Sequence, residues 1–289
     1  MFMKIGLCLA GGGIKGAAHI GAIKALEEEN IRFDYVSGTS SGSIVATLYA
    51  VGYCAEDMYK LFKKYSKKIK YVDFKNILKT IWGLITERKI IINGLNSGVQ
   101  IEKIINEACN LRNIQNIKDI KMPILIPSVD LNTGNIYIFS SINFRNKISD
   151  NLFYINDIEI GKAIRASCSY PGVFSPCNYK DIELIDGGIR ENVPWKETKK
   201  IGADKVISII FEKEINKKCH NNIIDVISNS IDILCHELSN YELKDADYLL
   251  KIKTEEISLL DTNKIDLLFH QGYIQTKNKI NEIKKYLIN

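Results

Sequence analysis

The sequence predicts a three-layer α/β/α fold on a mostly parallel central sheet, and three observations lead there. Short β-rich runs alternate with helical patterns, as a parallel sheet covered on both faces requires. The first apolar run feeds a glycine-rich loop that opens a helix, and the second feeds a small-residue turn that opens another. With 289 residues, of which 46% are hydrophobic, the chain is long enough to close a large core.

Taken in order, residues 5–10 form the first strand and 17–29 the first helix, with Ile20, Ile23, Ala25 and Leu26 roughly on one face. Residues 33–36 give a second short strand, followed by Ser37-Gly38-Thr39-Ser40-Ser41-Gly42 and a helical pattern over 44–51. Extended runs at 123–131 and 135–141 flank Asn132-Thr133-Gly134, a hairpin turn. Residues 157–166 are helical and end before Pro171, and 182–185 is a strand leading into Asp186-Gly187-Gly188. Pro194 stands where a first helical turn begins. Residues 206–211 and 248–252 are further strands. The tail from 265 to 287 carries Ile265, Leu268, Phe269, Ile280, Ile283 and Leu287 at helical spacing. Without repeats, a low-complexity linker or a convincing boundary, residues 1–289 are expected to form one domain. Its core would run from about 4 to 211, with a helical completion over 220–289. Residues 70–95 are the least regular part and read as an insertion over the core.

Composition excludes several classes. Charged residues at 25%, aromatics at 9% and a net charge of +5 are ordinary for a globular protein. Seven cysteines without a C-x-x-C pair read as reduced thiols in a reducing compartment, so the expected location is cytoplasmic. The N-terminal apolar run lacks the pattern of a secretory signal. No stretch reaches the roughly 18 apolar residues of a spanning helix, so membrane attachment is expected at most to be peripheral. His, Asp and Glu never cluster at metal-ligand spacing, and no cofactor or metal is expected.

The loop Gly11-Gly12-Gly13-Ile14-Lys15-Gly16 fits the dinucleotide fingerprint through Gly11, Gly13 and Gly16. Backbone N–H groups at a helix N-terminus attract any anion, whether a permanent phosphate or one formed in a transition state. The loop alone leaves both open. Gly38-Thr39-Ser40-Ser41-Gly42 matches G-x-S-x-G in one register only, with Ser40 at its centre, between a strand and a helix. Its flanking glycines, Gly38 and Gly42, suit a crowded, strained nucleophile turn. A dinucleotide would want an acidic residue at the end of the second strand, yet Asp34 lies at its beginning. A Walker loop fails because Lys15 precedes Gly16. The glycine loop therefore reads better as an oxyanion hole for the alkoxide formed when Ser40 attacks a carbonyl. Asp186-Gly187-Gly188 then puts a carboxylate just past a strand's C-terminal end, although such a tripeptide is also a common turn.

In their order and rough spacing these three segments resemble the patatin-like phospholipase family. Ala166-Ser167 with Pro171, Asn192 with Pro194, and Gly202-Ala203-Asp204 add to the resemblance, which covers roughly residues 4–211. It implies lipid acyl hydrolysis, of the phospholipase A or lysophospholipase type, by a Ser-Asp dyad without a histidine. Ser40 would be the nucleophile and Asp186 the proton acceptor. Backbone N–H groups around Gly12, Gly13 and Ile14, within the loop from Gly11 to Gly16, would form the oxyanion hole. Lys15 would lend the loop electrostatic support, and Gly187 and Gly188 would shape the aspartate turn.

Two other readings stay in play. His220, His236 and His270 follow the aspartate, so a Ser-His-Asp esterase order is formally available, though His236 and His270 sit in helical patterns. A non-catalytic lipid-binding module would keep the fold without the chemistry. His19 lies one turn past the glycine loop and reads as structural support. Residues 58–70 place Met58, Leu61, Phe62, Tyr65 and Ile69 at helical spacing among lysines. With Ile77, Leu78, Ile81, Trp82, Leu84 and Ile85 beyond, residues 58–85 form a candidate membrane contact, or else begin in an ordinary lysine-faced helix. The expected partner is a phospholipid or another acyl-ester lipid. No nucleic-acid module accompanies the lysines. Which lipid is cut, and the oligomeric state, are not legible.

Overall fold

The computed structural model describes residues 3–68, 93–144, 151–212, 223–255 and 261–288. Ile69 and the apolar group from Ile77 to Ile85 lie outside the described residues, as do His220 and most of the expected insertion.

Among the described residues nine strands form one sheet: β1 (Ile5–Leu9), β2 (Tyr35–Gly38), β3 (Ile124–Asp130), β4 (Ile136–Ser140), β5 (Leu152–Ile155), β6 (Cys177–Tyr179), β7 (Ile182–Asp186), β8 (Lys205–Glu212) and β9 (Tyr248–Lys253). The order across it is β5-β4-β3-β2-β1-β8-β9, with β7 branching from β3 and β6 pairing β7. Pairs β1–β2, β1–β8, β2–β3, β4–β5 and β8–β9 are parallel; β3–β4, β3–β7 and β6–β7 are antiparallel. The expected hairpin is the β3–β4 turn, where Gly134 takes φ 72° and its N–H donates to the Asp130 carbonyl at 2.8 Å.

The helices are α1 (Gly16–Glu28), α2 (Ser41–Ala50), α3 (Ala55–Ser66), α4 (Val99–Asn110), α5 (Ile160–Ser167), α6 (Trp195–Lys200), α7 (Ile223–Glu242) and α8 (Ile265–Ile288). Alternation along β1 builds the layers, because successive strand residues face opposite sides. Leu7 and Leu9 face the large core with Val36, Ile207 and Ile209, under α1, α2 and α8. Cys8 and Ala10 face a smaller core with Trp195, Ala203, Val206 and Leu243, beneath α6. The predicted α/β/α sandwich is thus present, with a thin second layer. The tail helix α8 lies along α1, where Tyr273 Oη donates to Glu28 at 2.9 Å and Lys277 meets Glu29 at 2.9 Å.

Helix α3 turns its apolar residues inward. Met58 and Tyr65 are buried, Leu61 and Phe62 pack on the core, and Lys63 is paired with Asp266 of α8 at 2.7 Å. Within the described part of 58–85, then, it is lysines and not apolar side chains that face outward. Among the described residues no helix is long and apolar enough to cross a membrane.

Candidate active site

Leu9 ends β1 and Gly38 ends β2, paired side by side, so the glycine loop and the serine turn leave the sheet at the same C-terminal edge. Open α/β sheets bind their ligands along that edge. Asp186 ends β7, which reaches the same region by running antiparallel to the far half of β3, opposite Ser128.

The serine turn is strained where the motif requires it. Ser40 holds φ 52° and ψ −124°, a conformation L side chains rarely adopt and one that costs about 1–3 kcal/mol. It immediately precedes α2. A Cβ on Gly38 would lie 2.4 Å from the Gly42 carbonyl oxygen, and one on Gly42 would lie 2.3 Å from that of Leu9. No side chain fits at either place. Thr39 N–H donates to Leu9 O (3.1 Å) and Gly42 N–H to Thr39 O (2.8 Å), which pins the turn to β1 and to itself. Ser40 is half-buried, while Ser41 is buried with its Oγ lacking a hydrogen-bond partner among the described residues.

Asp186 is 2% exposed. Its N–H donates to Ser169 O at 3.0 Å, and its Oδ1 accepts from Gly188 N–H at 2.8 Å. Oδ2 is buried and makes no full hydrogen bond among the described residues. Burial pushes the carboxyl pKa up to about 7, and the nearby Ser40 hydroxyl and the Gly188 N–H pull the other way. At neutral pH the group is therefore divided between its acid and its base.

A segment whose roles were not legible in the sequence joins the two. Ser167 Oγ accepts the Ser40 N–H at 3.1 Å, while the carbonyl of Ser169, two residues on, accepts that of Asp186. Thr39 Oγ1 donates to Glu191 O (2.9 Å), and Asn192 Oδ1 accepts from Gly11 N–H (2.9 Å). Four stretches far apart in sequence are thereby locked together. The signal available was the run of small residues after α5 and the Asn192–Pro194 pair.

The glycine loop is not uniform. Gly11 N–H is taken by Asn192, Lys15 N–H by Gly12 O (3.2 Å), and Gly16 N–H by carbonyls within the short 3-10 turn Gly13–Lys15. Gly12, Gly13 and Ile14 keep N–H groups without a hydrogen-bond partner among the described residues. Gly11 touches Ser40, since a Cβ added to Gly11 would lie 3.2 Å from the Ser40 Cβ. Gly13 at φ 58° supplies the left-handed step that turns the loop. Phe211 lies under Gly12, with the Lys15 ammonium 5.9 Å from its ring.

The histidines are elsewhere or otherwise engaged. His19 is fully buried, donates from Nε2 to Ala10 O at 2.8 Å, and lies with its ring 4.5 Å from that of Phe211, tilted by 34°. Burial lowers its pKa to about 4, so it is a neutral brace beneath the loop. His236 is exposed on α7 beside Asn240, and His270 is exposed on α8. Neither hydrogen-bonds Ser40 or Asp186. Asp34 caps the opposite end of β1, accepting from Ile5 N–H (2.9 Å) and Lys4 Nζ (2.7 Å), remote from any ligand on the glycine loop. A cavity of about 240 Å³ between Arg190, Trp195, Lys200 and Glu242 reaches neither Ser40 nor Asp186, and its charged walls do not suit an acyl chain.

A strained serine turn and a glycine loop thus lie side by side at the C-terminal edge of the sheet. The chain belongs to the patatin-like phospholipase family, whose model matches residues 7–199. Lysophospholipase NTE1 of Meyerozyma guilliermondii is 30% identical over 206 residues, 71% of this chain but 12% of that protein. The chain thus spans only a small part of the yeast relatives it matches. YqhO of Bacillus subtilis (strain 168), an uncharacterized protein, is 30% identical over 240 residues, 78% of both chains. In fold, the chain is similar to VipD from Legionella pneumophila (TM-score 0.56, 17% identity, 97% of this chain and 67% of that one). It is also similar to human GIVD cytosolic phospholipase A2 (TM-score 0.54, 11% identity, 99% and 60%).

Proposed function

We propose that the chain is a lipid acyl hydrolase of the phospholipase A or lysophospholipase type, acting through a Ser40–Asp186 dyad. The observation that carries the reading is the tie between Ser40 and Asp186 through Ser167 and Ser169, beside three open N–H groups. Ionised Asp186 takes the Ser40 proton as Oγ attacks the acyl carbonyl. The alkoxide forms against the N–H groups of Gly12, Gly13 and Ile14, which are already oriented and so need no reorganisation. As the tetrahedral species collapses, Asp186 returns its proton to the leaving alcohol. Water then clears the acyl-enzyme by the same route in reverse. Only the ionised form accepts a proton, so activity rises with pH through about 7. Contact of residues 58–85 with a lipid surface belongs to the same reading, on the strength of the lysines that α3 presents.

A fluorophosphonate probe with a soluble short-chain ester tests the assignment. Covalent labelling and hydrolysis should both disappear in Ser40→Ala and persist in Ser41→Ala. Labelling that follows Ser41 instead would move the nucleophile by one residue. A wild type that neither labels nor hydrolyses would leave a lipid-binding module.

A further inference from the structure

Helix α7 has two contrasting faces. Its inner side meets the site: Tyr170, just beyond Ser167 and Ser169, donates from Oη to Asp232 Oδ1 at 2.8 Å. The helix also packs on the Gly187–Ile189 turn that follows Asp186, and the charge of Asp186 reaches the Cys235 thiol. At its C-terminal end Trp195 Nε1 donates to Glu242 O at 3.1 Å. The other side is uncovered and largely apolar, with Ser230 and Glu237 exposed among its apolar side chains. Ile227, Leu234, Leu238 and Tyr241 follow at steps of seven, four and three, which aligns them in one stripe along the helix. Leu234 and Tyr241 are each 70% exposed, and Val226 and Ile233 flank the stripe at 49%. Six of the twelve large apolar side chains exposed among the described residues sit on this helix, which makes it a patch and not scatter.

Charge narrows what can cover the stripe. Residues 223–242 contain no lysine or arginine, and of their four acids Asp232 turns inward to Tyr170 while Glu237 is exposed beside the stripe. An anionic surface gains nothing from such a helix, whereas a neutral one can bury the stripe without an opposing field. Position narrows it further. The stripe lies within about one helix diameter, roughly 10 Å, of the Asp186 turn. A second protein seated there would crowd the edge where substrate must arrive, whereas a lipid surface would deliver it.

We propose that the outer stripe of α7 docks the protein on zwitterionic phospholipid surfaces and so presents ester-bearing lipid to Ser40. The proposal rests on the hydrolase reading for its purpose, but the contact is measurable apart from catalysis. It also differs from lysine-driven contact through α3, because apolar insertion survives salt while charge attraction is screened to a Debye length of about 3 Å at 1 M.

The test is co-sedimentation of the full chain with neutral phosphatidylcholine vesicles at low and high salt, alongside soluble short-chain ester hydrolysis. The wild type should bind at both ionic strengths. L234E/L238E should reduce partitioning at least about tenfold, with soluble-ester turnover within about twofold and thermal stability unchanged. Should that double variant fail to fold, Tyr241→Trp in a Trp82→Phe background reports instead through a blue shift of emission on adding vesicles that the Trp82→Phe protein alone does not show. Binding unchanged in the double variant, no binding by the wild type, or an unshifted Tyr241→Trp emission would each overturn the proposal. So would a wild-type dimer, seen by ultracentrifugation, that the double variant dissociates. A wild type that binds as expected yet hydrolyses no soluble ester would sink the hydrolase reading and leave the docking surface standing.

Discussion

Replacing Asp186 by Asn should stabilise the fold while abolishing turnover, and both effects arise from the same burial. Burial raises the carboxyl pKa from 3.8 to about 7. At about 1.36 kcal/mol per unit, the ionised form costs the fold at most about 4 kcal/mol. The sign follows from proton counting. Between pH 3.8 and 7 the folded protein keeps a proton that the unfolded chain has released, so stability falls as pH rises across that window and levels off above it. Asn cannot ionise, keeps an oxygen to accept from Gly188 N–H, and preserves the shape. Wild type and Asp186→Asn should therefore be nearly equal in stability near pH 4 and diverge, with the variant ahead, by pH 8. Glu191 is also pushed up, to about 8, chiefly by burial and then by Glu197 and Glu242; being common to both proteins, it cancels in the difference. Urea unfolding of both proteins at several pH values measures that difference, with ester hydrolysis run in parallel. A difference that stays flat with pH, or a variant less stable than wild type at pH 8, would refute the cost assigned to the buried charge. Turnover above about a tenth of wild type would refute the proton-acceptor role.

Two further expectations address the oxyanion donors and the triad alternative. Gly12→Ala places a Cβ 2.7 Å from the Phe211 ring and should lower the hydrolysis rate by about 10²–10³ by displacing the loop; adding Phe211→Leu should recover at least about tenfold. Loss below tenfold for Gly12→Ala would count against the hole. His236→Gln and His270→Gln should each keep at least about half of the activity, as both rings are exposed and unbonded to Asp186. The pH profile cannot replace these substitutions, because a histidine near 6.5 and this carboxyl near 7 give similar acid limbs. Were either glutamine variant as inactive as Asp186→Asn, the dyad would give way to a triad.

Local signals marked the regular elements and the motifs. Short apolar, β-rich runs placed β1, β3, β4, β7, β8 and β9, and the spacing of Ile265, Leu268, Ile280 and Ile283 placed α8. The second strand was expected at 33–36 but runs over Tyr35–Gly38, since parallel pairing with β1 carries it straight into the serine turn. Helix α2 begins at Ser41, earlier than the apolar pattern suggests, because small residues continue a helix without advertising it. The short β5 and β6 escaped the reading, as edge pairing and not composition makes them strands.

The sequence by itself determined where the serine turn falls, because strain and crowding admit few residue types at Gly38, Ser40 and Gly42, and a turn leaving a strand is a local event. The tertiary structure decided which groups meet. Asn192 takes the Gly11 N–H while those of Gly12, Gly13 and Ile14 have no partner among the described residues, Ser167 and Ser169 bridge serine to aspartate, and α3 spends its apolar face on the core. Helix α7, in contrast, keeps its apolar stripe exposed. Two amphipathic helices look alike in one dimension; only packing settles which face is buried, because burial depends on the surface that the rest of the chain brings to meet it.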